Sequence, residues 1–367
     1  MSGGDERTPP VRVQLLSRYG RLGASSRVRS YQYLPYLRDL GIAVESQPLL
    51  DDRYIDRLYR GRPQNAAAIL AGYARRLMHL ATSSRFDLLW IEYELFPWLP
   101  AWFERLLSRL GVPYVVDYDD PIFHRYDSHR NPLVRGLLGR KIDRVMREAT
   151  LVVVGSEYLG ERARQAGARR VEHVPTVIDL SRYQVATAAA GGPYTIGWIG
   201  SPLTAHFLLL VREALAEVCK SLSARVSLVG AGGLSLDAVP IDARAWSEAT
   251  EVADLQRFDV GIMPLSDGPW ERGKCGYKLI QYMACGRPVV ASPVGANSQI
   301  VEHGVNGLLA NTSADWVAAL RALRDPALRA RMGAAGRAKV EQGYSVQVTA
   351  PRLAALLRSV ARTNRTS

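Results

Sequence analysis

Residues 268–310 read GPWERGKCGYKLIQYMACGRPVVASPVGANSQIVEHGVNGLLA and carry the clearest local structural signals in the chain. A polar loop ends in Gly-Lys-Cys-Gly, and the apolar spacing of residues 277–285 predicts a helix that stops at Gly286. The following residues 288–291 have the β-branched character of a buried strand. Together with a strand predicted just upstream, at residues 259–263, they form one repeat of an α/β sheet.

The same alternation of short apolar runs and longer amphipathic segments extends through the rest of the chain. In the first half the pattern predicts strands at 11–16, 42–45, 87–92, 113–117, 151–154 and 171–174, with helices at 28–40, 64–82, 99–110 and 131–149. In the second half it adds strands at 194–199 and 225–229, with helices at 206–222, 249–258 and 314–324. Several strands are apolar on both faces, which indicates parallel sheets covered by helices on both sides. The sequence therefore predicts an α/β protein with two doubly wound, Rossmann-like domains.

An Ala- and Gly-rich stretch, VATAAAGGP, lies between the two halves at residues 185–193 and has the composition of a linker. We predict a first domain at residues 1–184, a second at 194–345, and a C-terminal helix and tail at 346–367 that crosses back to the first domain. A length of 367 residues agrees with two domains. Two facing domains of this kind would bind ligands in the crevice at the carboxyl ends of their strands.

The chain is basic, but its excess charge is spread evenly. Its 47 Lys and Arg against 35 Asp and Glu give 47 − 35 = +12, divided as 28 − 21 = +7 up to residue 183 and 19 − 14 = +5 after it. No basic tail exists, so the charge gives little support to nucleic-acid binding. Peripheral contact with a membrane stays open, because arginine-rich faces bind anionic lipid weakly.

Cysteine content and hydropathy indicate a cytoplasmic protein. The three cysteines have no CxxC spacing and cannot all pair, which argues against a disulfide scaffold or a zinc knuckle. The N-terminal residues MSGGDERTPP lack the apolar core of a signal peptide, and no run approaches the roughly 18 apolar residues of a spanning helix.

Two lysines near the helix of residues 277–285 suggest an anion site. Lys274 and Lys278 are two of only five lysines in a chain that otherwise uses arginine. A glycine loop that leads into a helix N-terminus offers backbone N–H groups to an anion, and two ammonium groups would add to them. We predict a diphosphate as the ligand, and the alternative is that both lysines are ordinary solvated side chains.

The run from Lys274 to Val290, with SPVG at 292–295 and HGVNGLL at 303–309, resembles the donor-site signature of glycosyltransferase family 4. These enzymes are retaining nucleotide-sugar transferases of GT-B fold. The resemblance continues in TIGWIGSPLT at 195–204 and LQRFDVGIMPL at 255–265. In the first half it rests on GASSR at 23–27 and HVPTVID at 173–179.

The resemblance implies a donor bound between the two domains. Gly200 and Ser201 would face the diphosphate, and its other side would be wrapped by Lys274, Cys275, Gly276, Tyr277 and Lys278. Trp246 falls where the family holds the nucleotide base, and its indole would stack on that base unless it is simply a core residue. On the acceptor side, the loop Gly23, Ala24, Ser25 and Arg27 would meet a phosphate or an acidic acceptor, or would be only a tight turn.

The chain departs from the family pattern at two positions. Many members carry two glutamates eight positions apart, and here those positions are Gly273 and Gln281. Gln281 still offers a neutral hydrogen-bonding group to a ribose hydroxyl. Glu271, two residues before Gly273, would then replace the missing sugar-contacting carboxylate. These departures leave the identity of the donor open.

A cluster of aspartates in VVDYDDPIFHRYDSH, residues 115–129, follows a predicted strand of the first half. Asp117, Asp119 and Asp120 would lie at the carboxyl end of that strand, and Glu92 and Glu94 follow another. Neighbouring carboxylates orient an acceptor hydroxyl or amine, or accept its proton. We predict Asp119 and Asp120 as site residues without choosing between them, and the alternative is a solvated turn before Pro121.

The resemblance implies a hexosyltransferase-type enzyme that moves a sugar from a nucleotide-diphosphate sugar to an acceptor with retention. The acceptor would be a polysaccharide, lipid-linked or secondary-metabolite precursor. Cations and N–H groups oppose the charge on the departing diphosphate, so no metal ion or other cofactor is expected. The alternatives are a GT-B epimerase, a pseudo-glycosyl coupling enzyme, and a non-catalytic subunit that binds sugar nucleotides.

Overall fold

The computed structural model describes residues 9–185 and 192–365, with side chains up to residue 361. These residues form two units. Within the described residues, the first unit comprises positions up to 174 together with positions from 349 onward, and the second comprises positions between 175 and 348. Most of the linker predicted for residues 185–193 lies outside the described residues.

The first unit contains a six-stranded parallel sheet. Its strands are β1 (Val11–Leu16), β2 (Ile42–Ser46), β3 (Leu88–Glu92), β4 (Tyr114–Tyr118), β5 (Leu151–Val154) and β6 (Val171–His173). They are arranged in the order β2-β1-β3-β4-β5-β6. The helices are α1 (Ala24–Arg29), α2 (Leu34–Asp39), α3 (Asp52–Tyr59), α4 (Ala66–Ala81), α5 (Trp102–Arg109), α6 (His124–Asp127), α7 (Pro132–Leu138), α8 (Lys141–Glu148) and α9 (Glu157–Gln165).

The second unit repeats this architecture. Its strands are β7 (Thr195–Ile199), β8 (Arg225–Val229), β9 (Ile241–Arg244), β10 (Val260–Met263), β11 (Val289–Ala291) and β12 (Gly307–Leu309). All pair in parallel, in the order β12-β11-β10-β7-β8-β9. The helices are α10 (Arg212–Leu222), α11 (Glu251–Leu255), α12 (Pro269–Arg272), α13 (Tyr277–Ala284), α14 (Asn297–Ile300), α15 (Ser313–Ala322) and α16 (Pro326–Gly343). The predicted pair of doubly wound α/β domains is confirmed.

Several element boundaries differ from the sequence-based prediction. The helix predicted for residues 28–40 is interrupted by a 3-10 turn at Tyr31–Tyr33. The helix predicted for 131–149 is divided between α7 and α8. Strands β9 and β12 were not predicted, because both are short edge strands whose pairing depends on a distant neighbour.

The domain boundary also differs from the predicted one. Residues 175–185 pack with the second unit: Ile178 forms a parallel bridge with Ser345, and the buried hydroxyl of Tyr183 donates to Glu251. The final helix, α17 (Val346–Arg365), begins in the second unit and continues in the first. There Thr349 hydrogen-bonds the Tyr33 hydroxyl at 2.8 Å.

Helix α13 lies closely against strands β7 and β10 of the second sheet. The buried Tyr282 hydroxyl accepts from Ile199 N–H at 3.0 Å and donates to the Ile262 carbonyl at 3.2 Å. The rings of Phe258 and Tyr282 lie over two glycines: a Cβ built on Gly197 would be 1.9 Å from Phe258, and one on Gly261 would be 2.2 Å from Tyr282. The missing side chains therefore let two aromatic rings pack directly against the backbone of the sheet.

We expect Gly197→Ala to destabilise the second unit by about 1–3 kcal/mol or more, because the new methyl group has no space beside Phe258. Gly233→Ala is the matched control, since no atom lies within 4 Å of a Cβ at that position. Calorimetric melting of both variants measures the effect. Equal melting temperatures for the two variants would contradict the packing described for β7.

Candidate functional site

The loop after β7 and the first turn of α13 meet at the carboxyl end of the strands of the second sheet. A Cβ built on Gly200 would lie 2.4 Å from the Trp198 ring and 3.0 Å from Cε of Lys278. The Lys278 ammonium lies 5.5 Å from the centroid of the Trp198 ring. The structure thus brings together Gly200 and Lys278, two predicted donor-binding residues separated by 78 positions (278 − 200 = 78).

The two backbone N–H groups of the β7 loop that were predicted to face the diphosphate already have partners within the protein. Gly200 N–H donates to the Val229 carbonyl at 3.0 Å. Ser201 N–H donates to Thr204 Oγ1 at 3.3 Å. A diphosphate beside this loop would therefore depend on the Lys278 ammonium more than on these two amides.

The loop before α13 has a backbone that requires glycine. Gly276 adopts φ 67° at the N-cap of α13, and a Cβ there would be 2.4 Å from Cδ1 of Ile300. Cys275 is buried next to it, and Tyr277 begins the helix half-buried. Lys274 is half-buried at the end of α12, where its N–H donates to the Glu271 carbonyl at 3.1 Å.

Glu271, the predicted substitute carboxylate, lies on α12 and is half-buried. Its Oε2 would be 2.4 Å from a Cβ built on Gly268, so the carboxylate folds back over the start of its own helix. Gly268 leaves the space that this conformation needs.

The amide of Gln281 is buried in a network that the sequence did not indicate. Gln281 Nε2 donates to the Tyr183 hydroxyl at 3.3 Å, and that hydroxyl donates to Glu251. The other oxygen of Glu251 accepts from Trp246 Nε1 at 2.8 Å. Glu251 therefore fixes the indole of Trp246, which is only half-buried and keeps part of its surface available for stacking.

In the first unit, a buried carboxylate holds the turn between β1 and α1. Glu92 Oε2 accepts from Arg18 N–H at 2.8 Å and from Ser26 Oγ at 2.6 Å. Ser26 Oγ also accepts from Tyr19 N–H at 3.2 Å. The turn is tight, since a Cβ on Gly23 would be 2.4 Å from Cβ of Tyr19.

The other predicted residues of this turn differ in exposure. Ala24 is exposed and Ser25 is half-buried. Arg27 is buried, and its Nη1 donates to the Arg21 carbonyl at 3.4 Å. The Arg27 guanidinium therefore supports the turn from inside, which differs from the exposed orientation that an anion contact needs.

In the first unit, Asp119 and Tyr93 contact each other at the predicted acceptor site. The Tyr93 hydroxyl donates to Asp119 Oδ1, and Tyr93 has a left-handed backbone with φ 63°. Such a conformation costs about 1–3 kcal/mol for a residue other than glycine and is often found at functional sites. Asp120, next in the chain, is half-buried, and its carbonyl accepts from Ile122 N–H at 2.8 Å.

The remaining acidic residues of this region have structural partners. Asp117 on β4 accepts from Arg29, the last residue of α1, at 2.6 and 3.1 Å. Glu94 accepts from Tyr126 at 2.8 Å and pairs with Lys141 and with Arg18, the latter at 3.2 Å. These ion pairs neutralise charges that are removed from water.

Glu92 and Glu94 differ in pKa although both are buried. Burial raises the pKa of Glu92 to about 7, and its hydrogen bonds to Ser26 and Arg18 only partly oppose that effect. Burial would also raise the pKa of Glu94, but the charges of Lys141 and Arg18 outweigh it and hold that pKa below its usual range. Glu92 is therefore the carboxyl group of this pair that titrates near neutrality.

Sequence reasoning missed Arg18, Ser26 and Tyr93. A signal for Tyr93 existed, since it stands between the two candidates Glu92 and Glu94. Among the described residues, no group of three or more His, Cys, Asp or Glu is arranged to hold a metal ion. In the same part of the chain, no helix combines the length and the apolar character that crossing a bilayer requires.

Two family models match the chain in tandem. Residues 6–176 match the Glycosyl transferase 4-like domain, and residues 193–325 match Glycosyl transferases group 1. A D-inositol 3-phosphate glycosyltransferase from Pseudarthrobacter chlorophenolicus is 42% identical over 105 residues, which is 28% of this chain and 22% of that protein. The match thus spans about a fifth of the length of this curated relative.

Solved structures of low sequence identity share the fold. Sucrose-phosphate synthase from Thermosynechococcus elongatus has a TM-score of 0.72 at 16% identity, covering 96% of this chain and 100% of that one. HepE from Anabaena in complex with UDP has a TM-score of 0.67 at 18% identity, covering 95% of this chain and 100% of that one.

We expect the pH dependence of stability to report on Glu92. A carboxyl group whose pKa is raised by folding stabilises the folded state at low pH, and this stabilisation is lost as the pH rises from about 4.5 to about 7. Glu92→Gln should therefore be more stable than the wild type at pH 8, by up to about 3 kcal/mol, and nearly equal to it at pH 5.

Urea unfolding at pH 5, 6, 7 and 8 measures this difference. Glu45→Gln is the control, because it makes the same substitution at a carboxyl group that is exposed on β2. If the free energy of unfolding of Glu92→Gln falls below that of the wild type by the same amount at every pH, the carboxyl group of Glu92 stays ionised throughout.

Proposed function

We propose that this chain, whose residues 6–176 and 193–325 match two glycosyltransferase family models, transfers a sugar from a nucleotide-diphosphate sugar to an acceptor. The donor would be bound by the second unit, whose residues 193–325 match Glycosyl transferases group 1. HepE, which shares the fold, was solved with UDP and with UDP-glucose, and this supports a nucleotide-diphosphate sugar as the donor here.

One geometric feature carries the proposal for the donor site. The Lys278 side chain crosses Gly200 and brings its ammonium to the carboxyl edge of the sheet, where ligands of doubly wound domains bind. Cleavage of a glycosyl–phosphate bond leaves negative charge on the diphosphate. A cation that is already in position stabilises this charge without reorganisation, and thereby lowers the barrier.

The neighbouring groups would divide the recognition of the donor. Lys274, Cys275, Gly276 and Tyr277 form the loop and first helical residue next to Lys278. Trp246, fixed by Glu251, would stack on the base, and Gln281 and Glu271 would contact the ribose and the sugar. We propose that no metal ion or other cofactor takes part, because cationic side chains supply the charge.

The acceptor would be bound by the first unit. Asp119 is the strongest candidate to orient an acceptor hydroxyl or amine, because Tyr93 fixes its carboxylate at the end of β4. Asp120 follows directly in the chain. We propose retention at the anomeric carbon, supported only by the resemblance to family 4; the departing phosphate itself would then take the proton of the acceptor.

We further propose that the protein works in the cytoplasm. The spacing of its three cysteines supports a reducing compartment.

The acceptor would be a polysaccharide, lipid-linked or secondary-metabolite precursor.

The experiment that tests the donor site compares Lys278→Met with Lys220→Met by calorimetric titration. Lys220 is an exposed lysine at the end of α10 and serves as the matched control. We expect Lys278→Met to weaken UDP binding at least tenfold, because the variant loses about 1.4 kcal/mol or more of charge-assisted contact. Binding of uridine, which has no phosphate, should stay unchanged in both variants.

If UDP binds the wild type but another nucleoside diphosphate binds more tightly, the same comparison is made with that nucleotide. The absence of binding for every nucleoside diphosphate would overturn the donor site. Binding without any turnover of the corresponding nucleotide sugars would instead favour the non-catalytic subunit.

A further inference from the structure

Helix α4 turns an apolar stripe toward solvent. Leu70, Leu77 and Met78 are exposed, Leu70 to 70% of its surface, and alanines at positions 67, 71, 74 and 81 continue the same stripe. The spacing i, i+3, i+4, i+7 places all seven on one side of the helix. On a surface helix of a globular protein, this stripe normally faces the core.

The inward side of α4 explains this orientation. Gly72 faces the protein so closely that a Cβ there would be 2.3 Å from the Leu49 carbonyl oxygen. Arg76 is buried and donates to the carbonyls of Ser17 and Gln47 at 2.5 and 3.1 Å. A rotated helix would lose these hydrogen bonds and place larger side chains in the space beside Gly72, so the apolar stripe is fixed on the outside.

Two further helices of the first unit expose large apolar residues. Trp102, Leu106 and Leu110 are spaced by four along α5 and its end, and Trp102 is 64% exposed. Leu133 and Leu137 have the same spacing on α7, and Leu133 is 80% exposed. Trp98 and Leu99, in the loop before α5, are exposed as well.

These helices adjoin one another around the loop that follows β3. The Tyr73 hydroxyl of α4 donates to the Pro97 carbonyl at 2.7 Å. Phe96 packs on Phe103 of α5, with ring centroids 4.7 Å apart. Trp98 packs on His129, three residues before α7, at 5.7 Å. The helices therefore share what we call the apolar surface: Leu70, Leu77, Met78, Trp98, Leu99, Trp102, Leu106, Leu110, Leu133 and Leu137.

The segments that form the apolar surface carry exposed arginines and contain no exposed carboxylate. Residues 57–86 contain six arginines and no Asp or Glu, and residues 128–142 contain three arginines, Lys141 and no Asp or Glu. In residues 95–110 the single carboxylate, Glu104, is buried and accepts from Leu95 N–H at 2.9 Å. The exposed arginines are Arg60, Arg62, Arg75, Arg85, Arg105, Arg109, Arg130, Arg135 and Arg140.

We propose that the apolar surface binds peripherally to an anionic phospholipid membrane. Leucine and tryptophan side chains enter the boundary between headgroups and acyl chains, where tryptophan is favoured, and the arginines meet lipid phosphates. A second copy of the chain fits less well, because a twofold contact would bring the same cations together with no carboxylate in these segments to oppose them. This inference does not depend on the proposed donor or acceptor.

The test measures sedimentation of the full chain with vesicles of phosphatidylcholine alone and of equal parts phosphatidylcholine and phosphatidylglycerol. The wild type should bind the anionic vesicles, and the double variant Trp102→Glu, Leu106→Glu should bind them at least tenfold more weakly. The matched control is Leu209→Glu, Leu210→Glu, which changes two residues of similar exposure in the second unit.

A second variant tests the electrostatic contribution of the arginines to membrane binding. Arg105→Gln, Arg109→Gln should weaken binding to the anionic vesicles by about fivefold per arginine. It should have no such effect with phosphatidylcholine alone, and added salt should reduce the difference.

Unchanged circular dichroism spectra and melting temperatures show that the variants remain folded, and UDP titration shows separately whether the donor site is intact. The proposal is overturned if the wild type does not bind anionic vesicles, or if the control variants lose as much binding as those on the apolar surface. Light scattering that shows a dimer, converted to a monomer by Trp102→Glu, Leu106→Glu, would assign the surface to self-association instead.

Discussion

The hydroxyl group of Tyr282 connects the ends of two neighbouring strands to the helix that carries Lys278. It accepts from Ile199 N–H at the end of β7 and donates to the Ile262 carbonyl of β10. Because the ring lies in space left by Gly261, the helix axis is held close to the sheet. This contact determines that the Lys278 ammonium reaches Trp198 and Gly200, and the candidate donor site depends on that position.

The first unit also has charged groups at the carboxyl end of its strands, but there the carboxylates Glu92 and Glu94 are buried. Glu94 is enclosed with Lys141 and Arg18, whereas Glu92 accepts hydrogen bonds from a backbone N–H and a serine hydroxyl. Two carboxyl groups two residues apart thus have opposite pKa shifts, because full charges stabilise an ionised carboxylate more than neutral donors do. Asp119, whose carboxylate accepts from the Tyr93 hydroxyl, is half-buried and lies nearer to solvent than Glu92 and Glu94.

Much of the fold could be predicted from local sequence patterns. The strands at β1, β5 and β8 begin and end where the apolar runs do, and α13 starts at the predicted residue. Prediction was wrong where a single amphipathic pattern covered two elements, as at α7 and α8, because periodicity continues through a break that tertiary contacts impose. It also failed at β9, whose sequence IDAR is not apolar and whose pairing with β8 is determined by the sheet.

The sequence by itself determined the fold class, the glycine loop before α13, and the presence there of two scarce lysines. Only the tertiary structure decided that Gln281 contacts Tyr183, that Asp117 pairs with Arg29, and that the leucines of α4 face outward. Helix and strand periodicity is a property of neighbouring residues, so it can be read along the chain. Hydrogen-bond partners and exposed faces depend on strand order and on packing between segments that are distant in sequence, and neither leaves a local pattern.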